Sequence, residues 1–100
     1  MAALNEVIHQ SLRLKIMAAL HAHTASEALE FIALRKITGA TDGNLGSHLT
    51  TLEQAGYIET AKAFVDKKPQ TRISLTREGR RAFREHVAYL KEIVELAEGR

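Results

Sequence analysis

Two short helical segments held three residues apart constrain this chain more than any other feature of it. Residues 33–38 read as a helix stopped by Gly39, and Gly39-Ala40-Thr41 supplies the turn. Thr41 then offers a hydroxyl to cap a new helix, and Asp42 sets a carboxylate against the positive end of its dipole. Leu45, Leu49 and Leu52 follow at spacings of four and three, and Gly56 ends the segment. Helix, glycine-bearing turn, helix is the spacing of a helix-turn-helix.

The flanking segments complete the pattern. Residues 4–22 are rich in Ala, Leu, Met, Lys and Arg and lack Gly and Pro, so they read as helical. A short turn at 4–9 precedes a second helical piece that Ser11 is placed to cap. Leu12, Ile16, Ala19 and Leu20 form one apolar stripe there, while Leu14, Met17 and Ala18 fall on the opposite side. A helix apolar on two sides needs cover on both, which in a 100-residue chain implies a subunit contact. Residues 29–31 read as a three-residue strand, and residues 57–65 and 71–75 are rich in strand formers. Between the last two lie Asp66-Lys67-Lys68-Pro69-Gln70, predicting a hairpin whose basic tip is longer than a minimal turn. Thr76 is placed to cap a last helix reaching about Glu98. On it Phe83, Val87, Leu90, Val94 and Ala97 run beside a second stripe of Ala82, His86, Tyr89, Ile93 and Leu96. So wide an apolar face again implies a partner. The order α-α-α-β-β-α, mainly α with a small hairpin, is that of a winged helix. No repeat or long linker divides residues 1–100, so they read as one domain.

Composition narrows the function. With 45% hydrophobic and 26% charged residues the chain is ordinary globular material, and without cysteine it has neither disulfides nor a thiolate zinc site. No run of apolar residues is long enough to span a bilayer, and the first residues lack a signal-peptide pattern. The expectation is a soluble cytoplasmic protein with no membrane partner. The net charge of +2 is uninformative, but its distribution is not. Residues 1–61 hold four basic and six acidic groups; residues 62–84 hold eight basic groups against Asp66 and Glu78. A concentrated basic stretch in a slightly acidic chain fits a polyanion binder or a solvated basic face. There is no HExxH, no glycine-rich phosphate loop and no Gly-x-Ser-x-Gly, so no enzyme and no cofactor are expected. His21 and His23 lack a third ligand, so no metal site is expected either.

The runs Asp42-Gly43-Asn44-Leu45-Gly46-Ser47-His48-Leu49 and Leu52-Glu53-Gln54-Ala55-Gly56-Tyr57-Ile58 resemble the recognition helix of small one-domain winged-helix transcriptional regulators of the MarR/ArsR group. Lys68-Pro69-Gln70-Thr71-Arg72-Ile73-Ser74-Leu75-Thr76, followed by Gly79-Arg80, resembles their wing and the start of their last helix. Arg13-Leu14-Lys15-Ile16-Met17 resembles their first helix. The resemblance spans roughly residues 8–90. It implies a homodimer, paired through its first and last helices, that binds duplex DNA and regulates transcription. Two departures stand out. Ile32 occupies the place where relatives cap the second helix with Ser or Thr, and the last helix offers His86 as its only histidine and no cysteine, so metal sensing is not carried over.

At 100° per residue, the face opposite Leu45, Leu49 and Leu52 holds Gly43, Asn44, Ser47, Thr50, Thr51 and Gln54. These small hydrogen-bonding groups suit a major groove about 12 Å wide. Asn44 and Gln54 are of the type that reads adenine, although Asn44 can instead serve the helix start. Thr41 at that start, Arg35 and Lys36 on the preceding helix, and Lys67, Lys68 and Arg72 on the 65–71 wing are candidates for the surrounding DNA contacts. Gly43 and Gly46 each cost a helix about 1 kcal/mol relative to Ala, which suggests close approach to DNA or to the second helix. His48 reads as a packed, hydrogen-bonded side chain, and most of Arg77, Arg80, Arg81 and Arg84 as ion-paired with Glu78 or Glu85. Phe31, Tyr57, Phe64, Phe83 and Tyr89 read as core or dimer residues. The expected dimer interface comprises Leu4, Ile8, Leu14, Met17, Val87, Leu90, Ile93 and Val94. The expected function is sequence-specific duplex-DNA binding by a dimeric repressor, with the 42–55 helix in the major groove and the wing on the backbone or minor groove. The alternatives are a winged helix that docks an acidic protein through its basic hairpin, and a ligand-gated regulator with an effector at the dimer cleft, whose identity the sequence does not indicate.

Overall fold

Side-chain caps set most of the helix starts. In the computed structural model, which describes residues 3–22 and 28–99, the Asn5 side-chain oxygen accepts from the Ile8 N–H and opens α1 (Glu6–His9). The Gln10 side chain accepts from the Arg13 N–H at 2.9 Å and opens α2 (Ser11–Ala22). Ser11 is thus the first helical residue and not the cap, because the longer Gln10 side chain already reaches that amide. Leu29–Glu30 form β1, and α3 (Phe31–Thr38) starts two residues earlier than its periodicity predicts, which takes Phe31 out of the strand. Glu30 is the residue that precedes α3, and it forms no capping side-chain bond; Ile32, expected at the cap position, is instead the second residue of the helix, because α3 starts earlier than expected. Gly39 ends α3 at φ +73°, where its N–H bonds the Arg35 carbonyl. The Thr41 hydroxyl accepts from the Asn44 N–H and starts α4 (Asp42–Gln54), as expected.

The hairpin follows as β2 (Ile58–Val65) and β3 (Lys68–Leu75), and α5 (Arg77–Ala97) closes the fold. The three strands form one antiparallel sheet in the order β1-β3-β2. The wing tip corrects the sequence reading. Asp66 and Lys67 alone make the turn, both at positive φ (52° and 63°), as a type I′ turn requires. Pro69 lies inside β3 opposite Phe64, one step beyond the closing pair Val65–Lys68. In an antiparallel ladder that step is a non-hydrogen-bonded pair, so the missing proline N–H removes nothing from β2. On its other side β1 reaches only Ile73 and Arg72, so Pro69 sits at an open edge.

The core joins α2, α3, α4 and the base of the hairpin through Ile16, Leu20, Leu34, Leu45, Leu52, Ile58 and Ile73. Ile8 and Met17 are fully buried in this core. They are therefore removed from the expected dimer interface: α1 folds back on α2, α4 and α5, while α2 packs on α3, α4 and α5, so both sides of α2 are used within the protomer. The junction of hairpin and α5 is the tightest point. The Thr76 hydroxyl accepts from the Gly79 N–H at 2.9 Å and donates to the Gly56 carbonyl at 2.6 Å. A Cβ on Gly79 would lie 1.9 Å from the Tyr57 carbonyl oxygen, so only glycine fits there. Beyond Leu90, α5 leaves the core and residues 91–99 are exposed, which stretches the molecule to 55 × 26 × 21 Å.

Candidate nucleic-acid interface

Burial of Leu45, Leu49 and Leu52 fixes the rotation of α4 and so decides which residues it presents to solvent. Thr41, Gly43, Asn44, Ser47, Thr50 and Gln54 are exposed, and Thr51 is half-buried at the edge of the same face. The Asn44 backbone N–H completes the Thr41 cap, while its side chain forms no hydrogen bond among the described residues. The Ser47 hydroxyl and the Gln54 amide are likewise unengaged among them. Thr50 and Thr51 are more restricted. Their hydroxyls donate to the carbonyls of Gly46 (3.0 Å) and Ser47 (3.3 Å), which leaves oxygen lone pairs and methyl groups pointing outward. Such groups accept from a base amino group or touch a thymine methyl.

A Cβ at Gly43 or Gly46 would meet nothing within 4 Å. Close packing against α3 is therefore not why these glycines stand in the helix; the room they leave lies on the open side.

His48 is a packed, hydrogen-bonded residue as expected: Arg13 Nη1 donates to its Nδ1 at 3.0 Å, and Arg13 Nε also donates to the Val7 carbonyl. One guanidinium thus ties α4 to α1 and α2 and holds the face of α4 in register. Arg35 is engaged as well, since its Nε lies 3.3 Å from the Asp42 carboxylate in the first turn of α4. At this half-exposed site the pair is weak, about 0–1 kcal/mol, and a phosphate can compete for the guanidinium. Lys36 is exposed.

On the wing, Lys62, Lys67 and Lys68 are exposed and form no ion pair among the described residues; Arg72 makes a long 3.4 Å contact with the Gln70 side chain. Of the four arginines on α5, only Arg81 is ion-paired among the described residues, with Glu85 at 3.3 Å. The expectation that most of them pair is not met, because Glu78 turns toward Gly56. Arg80 and Arg84 instead lie near half-buried His21, whose pKa is lowered by burial first and then by these two cations. His23 lies outside the described residues, so the His21–His23 pair is not described further.

One cluster had no signature in the sequence. His86 is fully buried on α5, where its Nδ1 accepts from the Asn5 N–H at 3.1 Å. Its Nε2 must then carry the proton and donates to His9 Nδ1 at 3.3 Å. Asn5 Nδ2 donates to the Tyr57 hydroxyl at 2.9 Å. The network locks α1 to α5 and to the foot of the wing. Burial first, and then the neighbouring His9, lower the His86 pKa below its ordinary 6.5. Its partners stand 81 and 77 residues away, beyond any local pattern.

The expected interface residues of α5 divide by depth. Val87 and Leu90 are half-buried, whereas Ile93 and Val94 are 44% and 55% exposed. Leu14 is half-buried and Leu4 exposed. Phe64, expected in the core or a dimer contact, is 79% exposed on the wing. No helix is long and apolar enough to cross a membrane among the described residues.

A helix-turn-helix with an open polar face, beside a basic hairpin, defines a winged-helix DNA-binding domain. The family model described as a winged helix DNA-binding domain matches residues 12–94, and the chain belongs to that family. An uncharacterized protein of Methanocaldococcus jannaschii, MJ0432, is 36% identical over 92 residues, covering 92% of this chain and 94% of the relative. Among solved structures, a transcriptional regulator homologue from Pyrococcus horikoshii superposes with a TM-score of 0.82 at 27% identity, over 91% of this chain and 87% of that one. A MarR-family transcriptional regulator from Silicibacter pomeroyi shares the fold, with a TM-score of 0.68 at 16% identity over 91% and 58% of the two chains. The winged-helix architecture expected from the sequence is thereby established, and its fold is shared with that MarR-family regulator.

Proposed function

We propose that the protein is a sequence-specific, homodimeric regulator that represses transcription by occupying a promoter. The observation that carries this is the solvent face of α4: Asn44, Ser47 and Gln54 have no hydrogen-bond partner for their side chains among the described residues, and the helix around them is cleared by Gly43 and Gly46. Unengaged donors and acceptors on a narrow helix face read base edges, while Lys67, Lys68 and Arg72 on the wing, with Arg35 and Lys36 on α3, neutralise phosphates. Dimerisation through the exposed part of α5, with Leu90, Ile93 and Val94 at its centre and Leu4, Leu14 and Val87 beside it, covers apolar surface that a monomer leaves in water. Two copies of α4 then meet half-sites about one helical turn apart or more.

The test is anisotropy of a labelled random-sequence duplex pool at low and physiological salt, with selection of the bound fraction. Enrichment of a palindrome with salt-steep binding is expected. Binding without enrichment would leave a non-specific binder, and no binding would favour the protein-interaction module. L90D is expected to yield monomers in sedimentation; a surviving dimer would move the interface elsewhere.

A second reading, regulation by a ligand, draws on a cleft of about 610 Å³ between α2 and α5. Apolar Ala18, Phe83 and Val87 line it together with His21, Arg84 and Lys91, a combination suited to a small apolar anion. Such a molecule would shift DNA binding only if the two dimer states bound it unequally.

A further inference from the structure

Phe64 is the most exposed large hydrophobic residue described, and its position is imposed by the register of the hairpin. Directly paired residues share a face, so Phe64 lies with Pro69, then Lys62 with Thr71, Thr60 with Ile73 and Ile58 with Leu75. Ile58 and Ile73 are buried, so this is the face that covers the core. At Thr60 it is still tied to α4, through a 2.6 Å hydrogen bond to Glu53. Beyond Thr60 there is no core beneath it, and Lys62 and Phe64 are exposed. Four residues of strand carry Phe64 about 13 Å past that last tether. The two-residue turn at Asp66–Lys67 and the fixed φ of Pro69 set the path of the chain at the tip that presents the aromatic ring.

Its surroundings select the occupant. Lys62 shares its face and Lys67 and Lys68 stand at the tip, none of them ion-paired among the described residues. Several cations around an apolar ring repel a second copy of the same tip and oppose burial against a neutral apolar surface. They match a partner that is anionic outside and apolar within. The DNA minor groove is such a partner, because its phosphates flank walls of deoxyribose and base edges against which apolar side chains pack.

We propose that Phe64, backed by Pro69, packs into the minor groove beside the major groove entered by α4, and that it adds both affinity and sensitivity to the flanking sequence. This rests on the DNA-reading function proposed above. The full chain would be titrated against its selected duplex as wild type, F64A and F64L, and against duplexes with inosine replacing guanine in the flanks, a change confined to the minor-groove amino group. F64A is expected to weaken binding about tenfold or more, the equivalent of exposing a buried phenyl ring. F64L should retain most of the affinity. The salt slope should stay as in wild type, because no charge is removed. The melting temperature should also be unchanged, and the response to inosine should disappear in F64A. Equal affinity of F64A and wild type would overturn the inference while leaving DNA reading intact. A change of oligomeric state in F64A would overturn it in favour of a second copy on this face. Failure of the wild type to bind any duplex would instead remove the function on which it rests.

Discussion

The α4 helix and the wing face solvent with opposite chemistries. Between Asp42 and Gln54 there is no lysine or arginine, and the only charges are Asp42 and Glu53. From Lys62 to Arg72 there are four cations against Asp66, together with an exposed aromatic ring. The helix thus offers directional hydrogen-bonding groups with almost no long-range attraction, and the hairpin offers attraction with little direction. In the proposed function, reading and holding therefore fall to separate elements, and a junction tied by the Thr76 hydroxyl to Gly56 and Gly79 connects them.

That separation can be broken most severely at the junction. Gly79→Ala forces a methyl into the Tyr57 carbonyl, and a loss of about 3 kcal/mol or more is expected in urea denaturation. Unaltered stability would mean that the hairpin and α5 shift apart without cost. Next comes α4. Gln54→Ala should alter preference at a single base-pair position by about 1–3 kcal/mol, and a uniform loss over all sequences would reassign Gln54 to the backbone. For the wing, the double change Lys67→Ala and Lys68→Ala should weaken every duplex alike, by about 2 kcal/mol at physiological salt, and flatten the salt slope by about two. An unchanged slope would take the lysines out of the contact. Alanine keeps the β-carbon at Lys67, so the strain of the positive-φ turn is unaltered.

A finer test sets stability against function. Gly43→Ala and Gly46→Ala have room for the added methyl and should each stabilise the fold by up to about 1 kcal/mol in thermal melts. If the duplex occupies that room, both should bind it more weakly despite being more stable; undiminished binding would show that the space is unused. The smallest effect is expected from pH. The folded protein holds His86 neutral, with a pKa below the ordinary 6.5, so below pH 6.5 the unfolded chain takes up a proton that the folded one refuses. Stability is therefore complete above that pH and declines as the pH falls, and H86Q should show a shallower decline in denaturation midpoint.

Local chemistry made much of the fold legible. Thr41 and Thr76 cap the helices they were expected to cap, Gly39 and Gly56 stop α3 and α4, and the leucine spacing of α4 already separates its buried and open faces. Each of these signals acts over a few residues, where backbone hydrogen bonding and helical period dominate. The errors arose where neighbours distant in the chain decide. Ile8 and Met17 looked like spare apolar surface, because nothing local shows that α1 folds back and that four helices already use both sides of α2. Pro69 looked like the end of a strand, because its tolerance depends on which side of the ladder its nitrogen faces, a matter of register. Phe64 looked like core, because hydrophobicity alone does not tell how far a strand runs past the interior it covers.

The sequence by itself therefore determined the elements, their order, the basic wing and the polar face of α4, since periodicity, caps and charge are properties of short segments. Only the tertiary structure decided that His86 joins Asn5 and His9, that Arg13 fixes His48, and that Gly79 must be glycine. Those contacts unite residues between 22 and 81 positions apart. Packing creates such neighbours, and no pattern along the chain encodes them.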